Sequence, residues 1–182
     1  MFHWDLSIRA VTFVADNPHL GPNNLYRAPD LTPWRCTGGI IEPIYNIKMN
    51  VHTPAPMEQY PTLRSWLTFE GPITSITPTG TINIHVTSSK YHSEIPTNYC
   101  APAIEICGHV VKTESDTGSH WTASSTTVPV LNLVLKSNDK AINTQLSESV
   151  VGHSTWINGL LLHQCSNTFV FEVTTFIAHP IP

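Results

Sequence analysis

The sequence predicts an all-β protein, a two-sheet antiparallel β-sandwich of jelly-roll or Greek-key type with about eight or nine strands and long loops. Three observations predict it. Five segments alternate apolar and polar residues with period two, the spacing that sends successive side chains to opposite faces of a strand. No window carries a sustained helical stripe, because proline and β-branched residues interrupt each candidate. The connections are very unequal in length and show no strand–helix alternation, which suits a sandwich better than an up-and-down barrel.

The elements follow in order. Trp4, Leu6 and Ile8 alternate with Asp5, Ser7 and Arg9, and the shift to Val11, Phe13 and Val14 reads as a change of face of the kind a bulge makes. Asn17 to Gly39 reads as a long loop, since Pro18, Pro22, Pro29 and Pro33 each remove a ladder donor. Ile41 to Val51 alternates again, and Thr53 to Pro61 is a second proline-rich loop. Ser65 to Phe69 is extended, Gly71-Pro72 marks a turn, and Ile73 to Thr77 pairs through Pro78-Thr79-Gly80 with Thr81 to Ser88. Ala103 to Lys112 is a strand, Thr113 to Thr127 a polar loop, and Val128 to Leu135 an apolar strand closed by a turn over Ser137 to Lys140. Asn158-Gly159 is the strongest hairpin cue in the chain and places a hairpin over Ser154 to Cys165. Phe169 to Ala178 is apolar on both faces, as a central strand would be. The core is therefore expected to hold Ile82, Ile84, Val86, Leu131, Leu133, Phe169, Phe171 and Val173, with Asn83, His85 and Asn132 more exposed. No internal repeat is visible.

A length of 182 residues allows one core and requires no second, so residues 1–182 read as a single domain. Only 12 % of residues are charged, which leaves solubility to hydroxyl and amide groups. Such a surface suits a secreted domain or one that buries its exterior against copies of itself, because uncharged groups are cheaper to desolvate than ions. The formal charge is −4, and the nine Lys and Arg form no basic run, so direct contact with nucleic acid is not expected. No apolar stretch approaches the ~18 residues of a membrane span, and the start of the chain lacks the features of a signal peptide, so a soluble chain or a processed fragment is expected. Cys36, Cys100, Cys107 and Cys165 are widely spaced and are expected to be free thiols.

No motif points to catalysis. None of the ten histidines forms a short-spaced pair of the zinc-binding kind, no Cys-x-x-Cys or Gly-x-Ser-x-Gly occurs, and no glycine-rich loop precedes a helix start. His153 and Ser154 are neighbours on an extended segment and point apart. No enzyme, metal or cofactor is expected. The tryptophans bear on binding: Trp121, beside His120 in a polar loop, and Trp34, beside Arg35, are candidate sugar-stacking residues, the alternative being that they plug the ends of the core.

The passage from Trp156 to Pro182 carries a glycine turn at Asn158-Gly159, a strand with a Glu172-Val173 step, and a short run ending at Pro180-Ile181-Pro182. It resembles the carboxyl-terminal strands of jelly-roll coat proteins of small icosahedral RNA viruses. The resemblance implies a structural capsid protein located in the virion, assembling from many copies of itself with other capsid proteins and without a catalytic site. Lacking the basic amino-terminal arm of coat proteins that package RNA, such a chain would leave genome contact to a partner. Asn23, Asn24, Leu25, Tyr26 and Arg27, in the first long loop, are then the candidate assembly contacts. The alternative is a secreted carbohydrate-binding β-sandwich that uses Trp121, His120 and Trp34 on a host glycan or receptor.

Overall fold

The backbone closes twice on itself, each time as a ring of five strands. A computed structural model describes residues 6–15, 19–20, 25–37, 39–54, 64–96, 104–113, 120–123, 131–152, 154–165 and 168–178. In the first ring β1 (Ser7–Val14) pairs antiparallel with β7 (Ser65–Ile76), and β7 with β8 (Ile82–His85). β8 runs parallel to β6 (Met49–Pro54), and β6 pairs antiparallel with β3 (Leu25–Leu31). A bridge between Thr12 and Pro33, just beyond β3, returns to β1.

The second ring repeats this order. β10 (Ile104–Lys112) pairs with β13 (Ser154–Cys165), β13 with β14 (Thr168–Ala178), and β14 runs parallel to β12 (Leu131–Lys136). β12 pairs with β11 (His120–Ala123), which closes on β10 through Val111↔Thr122 and Lys112↔Trp121. Strands β1, β3, β6, β7 and β8 thus correspond to β10, β11, β12, β13 and β14, with the third and fifth strands parallel in both. The rings meet along β1 and β10, where Ser7, Ile8 and Arg9 face Cys107, Ile106 and Glu105. Short additions decorate the first ring: β2 (His19–Leu20) beside β3, β9 (Ser88–His92) beside β7, and a hairpin of β4 (Trp34–Thr37) and β5 (Ile40–Pro43).

Alternation fills the rings. Ile8, Met49, Val51, Leu67, Ile82 and Ile84 are buried in the first, and Trp121, Leu133, Ile157, Leu161, Phe169 and Phe171 in the second. Each such side chain contributes about 1.5–3 kcal/mol relative to exposure. Val86 and Val173 are buried as expected, while Asn83, His85 and Asn132 are partly or fully exposed; the side chain of Leu131 lies outside the described residues.

The all-β class therefore holds, since every element among the described residues but one short helix is a strand. The two facing sheets of a jelly roll are not confirmed, because the ladders run round closed rings rather than along two open layers. The hairpin through Pro78-Thr79-Gly80 is present, with Gly80 at φ 88° and Gly80 N–H donating to the Thr77 carbonyl at 2.9 Å. β14 lies between β12 and β13 and is central. β1 keeps an unbroken register with β7 from Ser7 to Val14, so the change of face read at Val11 is not a bulge. Two proposed turns are instead strand interiors: Gly71-Pro72 lies within β7, and Asn158-Gly159 within β13. Part of the long loop is strand, since Pro29 sits where the β3–β6 register shifts and no ladder donor is required of it.

The one helix among the described residues, α1 (Lys140–Glu148), follows the turn expected over Ser137 to Lys140, in a stretch where no helix is expected from the sequence. Its window KAINTQLSE has no proline, and Asp139 caps it by accepting from the N–H groups of Ala141 and Ile142. Lys112 of β10 donates to the carbonyls of Leu146, Ser147 and Ser149, each at 3.0 Å, satisfying groups the helix end leaves unpaired. Leu146 is the helix residue that enters the core. No helix among the described residues is long and apolar enough to cross a membrane.

Candidate functional site

Three neighbouring strands of the first ring, with the added β2, place an arginine and three histidines in one row. His19 of β2 faces Arg27 of β3, Arg27 faces His52 of β6, and His52 faces His85 of β8. Paired positions on adjacent strands share a face of the sheet. Their chain neighbours Ala28, Val51 and Ile84 point into the core, so the row points outward; His19 and Arg27 are exposed, His52 and His85 half-buried. Partial burial pulls the pKa of His52 below its ordinary value, a hydrogen bond with Asn83 opposes this, and the charges of Arg27 and His85 lower it further. Arg27 and three imidazoles therefore share one outward face, and burial together with Arg27 and His85 disfavours protonation of His52 there.

A polar chain braces the same face. Asn50 Nδ2 donates to Asn83 Oδ1 at 2.9 Å, and Asn83 Nδ2 donates to Ser75 Oγ at 2.8 Å. Asn50 Oδ1 accepts from the backbone N–H of Asp30, which sits at φ 54° in the β3 bulge.

Beside the row, at the end of β3, opens a cleft of about 700 Å³. Phe13, His19, Asp30, Thr32, Trp34 and Tyr45 line it, so His19 belongs to both features. Trp34 packs edge-on against Trp66 with centroids 5.1 Å apart, and Trp66 against Phe13 at 5.2 Å. The hairpin carrying Trp34 is cross-linked by Arg35, whose Nε donates to Glu42 at 2.7 Å. Tyr45 is 77 % exposed, and Lys48 Nζ donates to Thr32 Oγ1 at 2.7 Å on the cleft rim.

The described residues of the second ring carry a different charge pattern. Gly159 of β13 lies against the Glu172 carbonyl as Gly71 of β7 lies against that of His85, which makes Glu172 the counterpart of His85. Lys136 faces Glu172 as His52 faces His85, so the equivalent row carries charges of opposite sign.

The other sequence-derived candidates fall apart spatially. Trp121 is wholly buried in the second ring, with Phe176 edge-on at 6.2 Å and the Lys112 ammonium 6.0 Å from its ring centroid. His120 pairs through its backbone with Val134, and its side chain lies outside the described residues. Asn23 and Asn24 lie outside them as well, while Leu25, Tyr26 and Arg27 form the start of β3. Of that group only Arg27 enters the row. Cys165 is a free, exposed thiol. His92 faces Trp66 on β9, in another row from His85, and no cluster of three metal-ligating groups occurs among the described residues.

A closed ring of five strands with its third and fifth parallel is the OB-fold, and this chain contains two in tandem. The wild-type single-stranded DNA binding protein from Thermus aquaticus matches it with a TM-score of 0.59 at 10 % identity, over 100 % of this chain and 96 % of that one. A deletion mutant of the same protein (delta 228-252 R190A) matches with a TM-score of 0.56 at 10 % identity, over 100 % and 98 %. No family model and no curated protein sequence matches the chain.

These neighbours overturn the coat-protein resemblance and what it implied. The likeness spans the whole chain, whereas the resemblance rested on its last strands, and its glycine turn at Asn158-Gly159 is the interior of β13. The capsid function, the partnership with copies of itself or other capsid proteins, and the virion location go with it. The glycan-binding, secreted alternative is not supported either. The exclusion of nucleic acid as a partner does not stand either, since chains of like fold are single-stranded DNA binding proteins and since charge counted along the chain overlooks that Arg27 gathers with three histidines across the sheet.

Proposed function

We propose that this protein binds single-stranded nucleic acid on the outer face of its first OB ring, without turning it over. The observation that carries the reading is the row His19–Arg27–His52–His85, which runs across the second, third and fifth strands of that ring. The second and third strands of an OB-fold are the face such folds present to oligonucleotides. A single strand laid along the row would meet Arg27 and protonatable imidazoles with its phosphates, while Trp34 and Tyr45 of the adjoining cleft offer its bases a stacking surface, the pairing that sequence-tolerant binding requires. The proteins of like fold bind single-stranded DNA, which favours DNA as the ligand.

The test is fluorescence anisotropy with labelled dT20 at pH 6.5 in 50 mM and 200 mM salt. Binding that weakens with salt is expected, and Arg27→Gln should weaken it about fivefold while circular dichroism stays unchanged. Absence of binding at 100 μM protein in 50 mM salt would overturn the reading.

A further inference from the structure

The cleft beside the basic row is chemically unlike the row. It is concave, and its lining includes the aromatic rings of Phe13, Trp34 and Tyr45 and the carboxylate of Asp30. Its volume of about 700 Å³ falls within the range of small-ligand clefts, ~300–1,000 Å³. We infer that this cleft receives an unstacked base of the bound strand and prefers one that carries an exocyclic amino group, such as cytosine, over thymine. The inference rests on the single-strand reading above and adds a base preference to it.

Three features carry it. First, Tyr45 is largely exposed with Trp34 half-buried in the same cleft, which gives a planar heteroaromatic ligand stacking surface without a rearrangement of the core. Second, Asp30 lines the cleft, and its position is fixed: the bulge holds it at φ 54°, and its N–H is bound by Asn50, itself tied through Asn83 to Ser75. A carboxylate only accepts hydrogen bonds. It pairs with the N4 amino group of cytosine, whereas thymine presents its O4 acceptor at that place. Third, Lys48 donates to Thr32 of the cleft wall, so a phosphate flanking an inserted base meets an ammonium while the base meets the acid. Without that ammonium Asp30 would repel the strand.

The experiment compares labelled dC15 and dT15 by anisotropy at pH 7.5 in 50 mM salt, with Asp30→Asn, Tyr45→Ala and Arg27→Gln as variants. Asparagine tolerates the left-handed backbone of position 30, so the bulge survives that change. The wild type should bind dC15 about tenfold more tightly than dT15. Asp30→Asn should bring the ratio close to one, because an amide also donates to O4, and Tyr45→Ala should cost dC15 about fivefold. Equal binding of the two oligonucleotides by the wild type, or a preference for dT15, would overturn the cleft assignment. So would unchanged curves for Asp30→Asn and Tyr45→Ala beside a weakened Arg27→Gln, and that outcome would leave the strand-binding row standing. If neither oligonucleotide binds, both readings fall together.

Discussion

A Cβ placed on Gly159 would lie 2.5 Å from the carbonyl oxygen of Glu172, and one on Gly71 would lie 2.0 Å from that of His85. Both are closer than packed atoms can come, and both contacts are with backbone, so a side chain there must push two strands apart. The two glycines occupy the same place in the two rings, where the fourth strand crosses the fifth. Gly71→Ala and Gly159→Ala are each expected to destabilise the protein by about 1–3 kcal/mol, as overpacked core positions do. Urea unfolding followed by circular dichroism measures this, and a shift below about 0.5 kcal/mol, the range of ordinary surface changes, would refute the crossing as the reason for glycine. The same contacts explain two misread turns. Gly71-Pro72 and Asn158-Gly159 have the composition of turns, but a glycine demanded by a close approach looks identical in sequence to one demanded by a turn. Gly80, by contrast, has φ 88° and does make the hairpin its neighbours predict.

The row His19–Arg27–His52–His85 belongs to the scale of elements, because four separate strands build it. Alternation in Thr81 to Thr87 correctly placed His85 outside and Ile82, Ile84 and Val86 inside. What could not be read was pairing: Arg27 lay in a stretch whose prolines hid β3, and no periodicity tells which strand lies beside which. Charge counted along the chain therefore missed charge gathered across a sheet. The helix was missed for a related reason, since KAINTQLSE has a weak apolar stripe, and its ends are secured by Asp139 and by Lys112 from a distant strand. The row also has a pH signature. His52 has a folded pKa below its unfolded value, so the unfolded chain binds the extra proton first. Its contribution to stability is present above the ordinary histidine pKa of about 6.5 and is lost as the pH falls through the lower folded value. A phosphate beside the row reverses the sign, because the protonated imidazole then gains a partner. Affinity for dT20 should rise between pH 8 and 5.5, and the slope of log K against log salt should steepen by roughly 0.7 for each imidazole that comes to neutralise a phosphate. Titration of His52→Gln checks the source: its affinity should rise less steeply with acid than that of the wild type. A pH-independent salt slope in the wild type would count against the row.

On the scale of the whole molecule the internal repeat is one of topology alone. The two rings share strand order, the parallel third and fifth strands and the crossing glycine, yet a row that is basic in one becomes Lys136 beside Glu172 in the other. The formal charge of −4 gives no general attraction for a polyanion, so the proposed binding is local to the first ring. Replacing Lys136 by Gln should then leave dT20 affinity nearly unchanged. Residues 1–182 are expected to unfold as one unit on two grounds. β1 and β10 continue a single ladder through Ser7, Ile8 and Arg9, and the buried side chains of both rings form one contiguous cluster. Ile8, wholly buried, lies on the joining strand itself. Opening either ring exposes that seam, so the cost of unfolding one ring includes contacts made by the other. Urea denaturation should accordingly give one transition, coincident by circular dichroism and tryptophan fluorescence. Hydrogen exchange should assign the slowest amides of β7 and β13 the same opening free energy. Two resolved transitions, or a β7 that opens at much lower free energy than β13, would mean that the seam does not couple the rings and that each ring folds by itself.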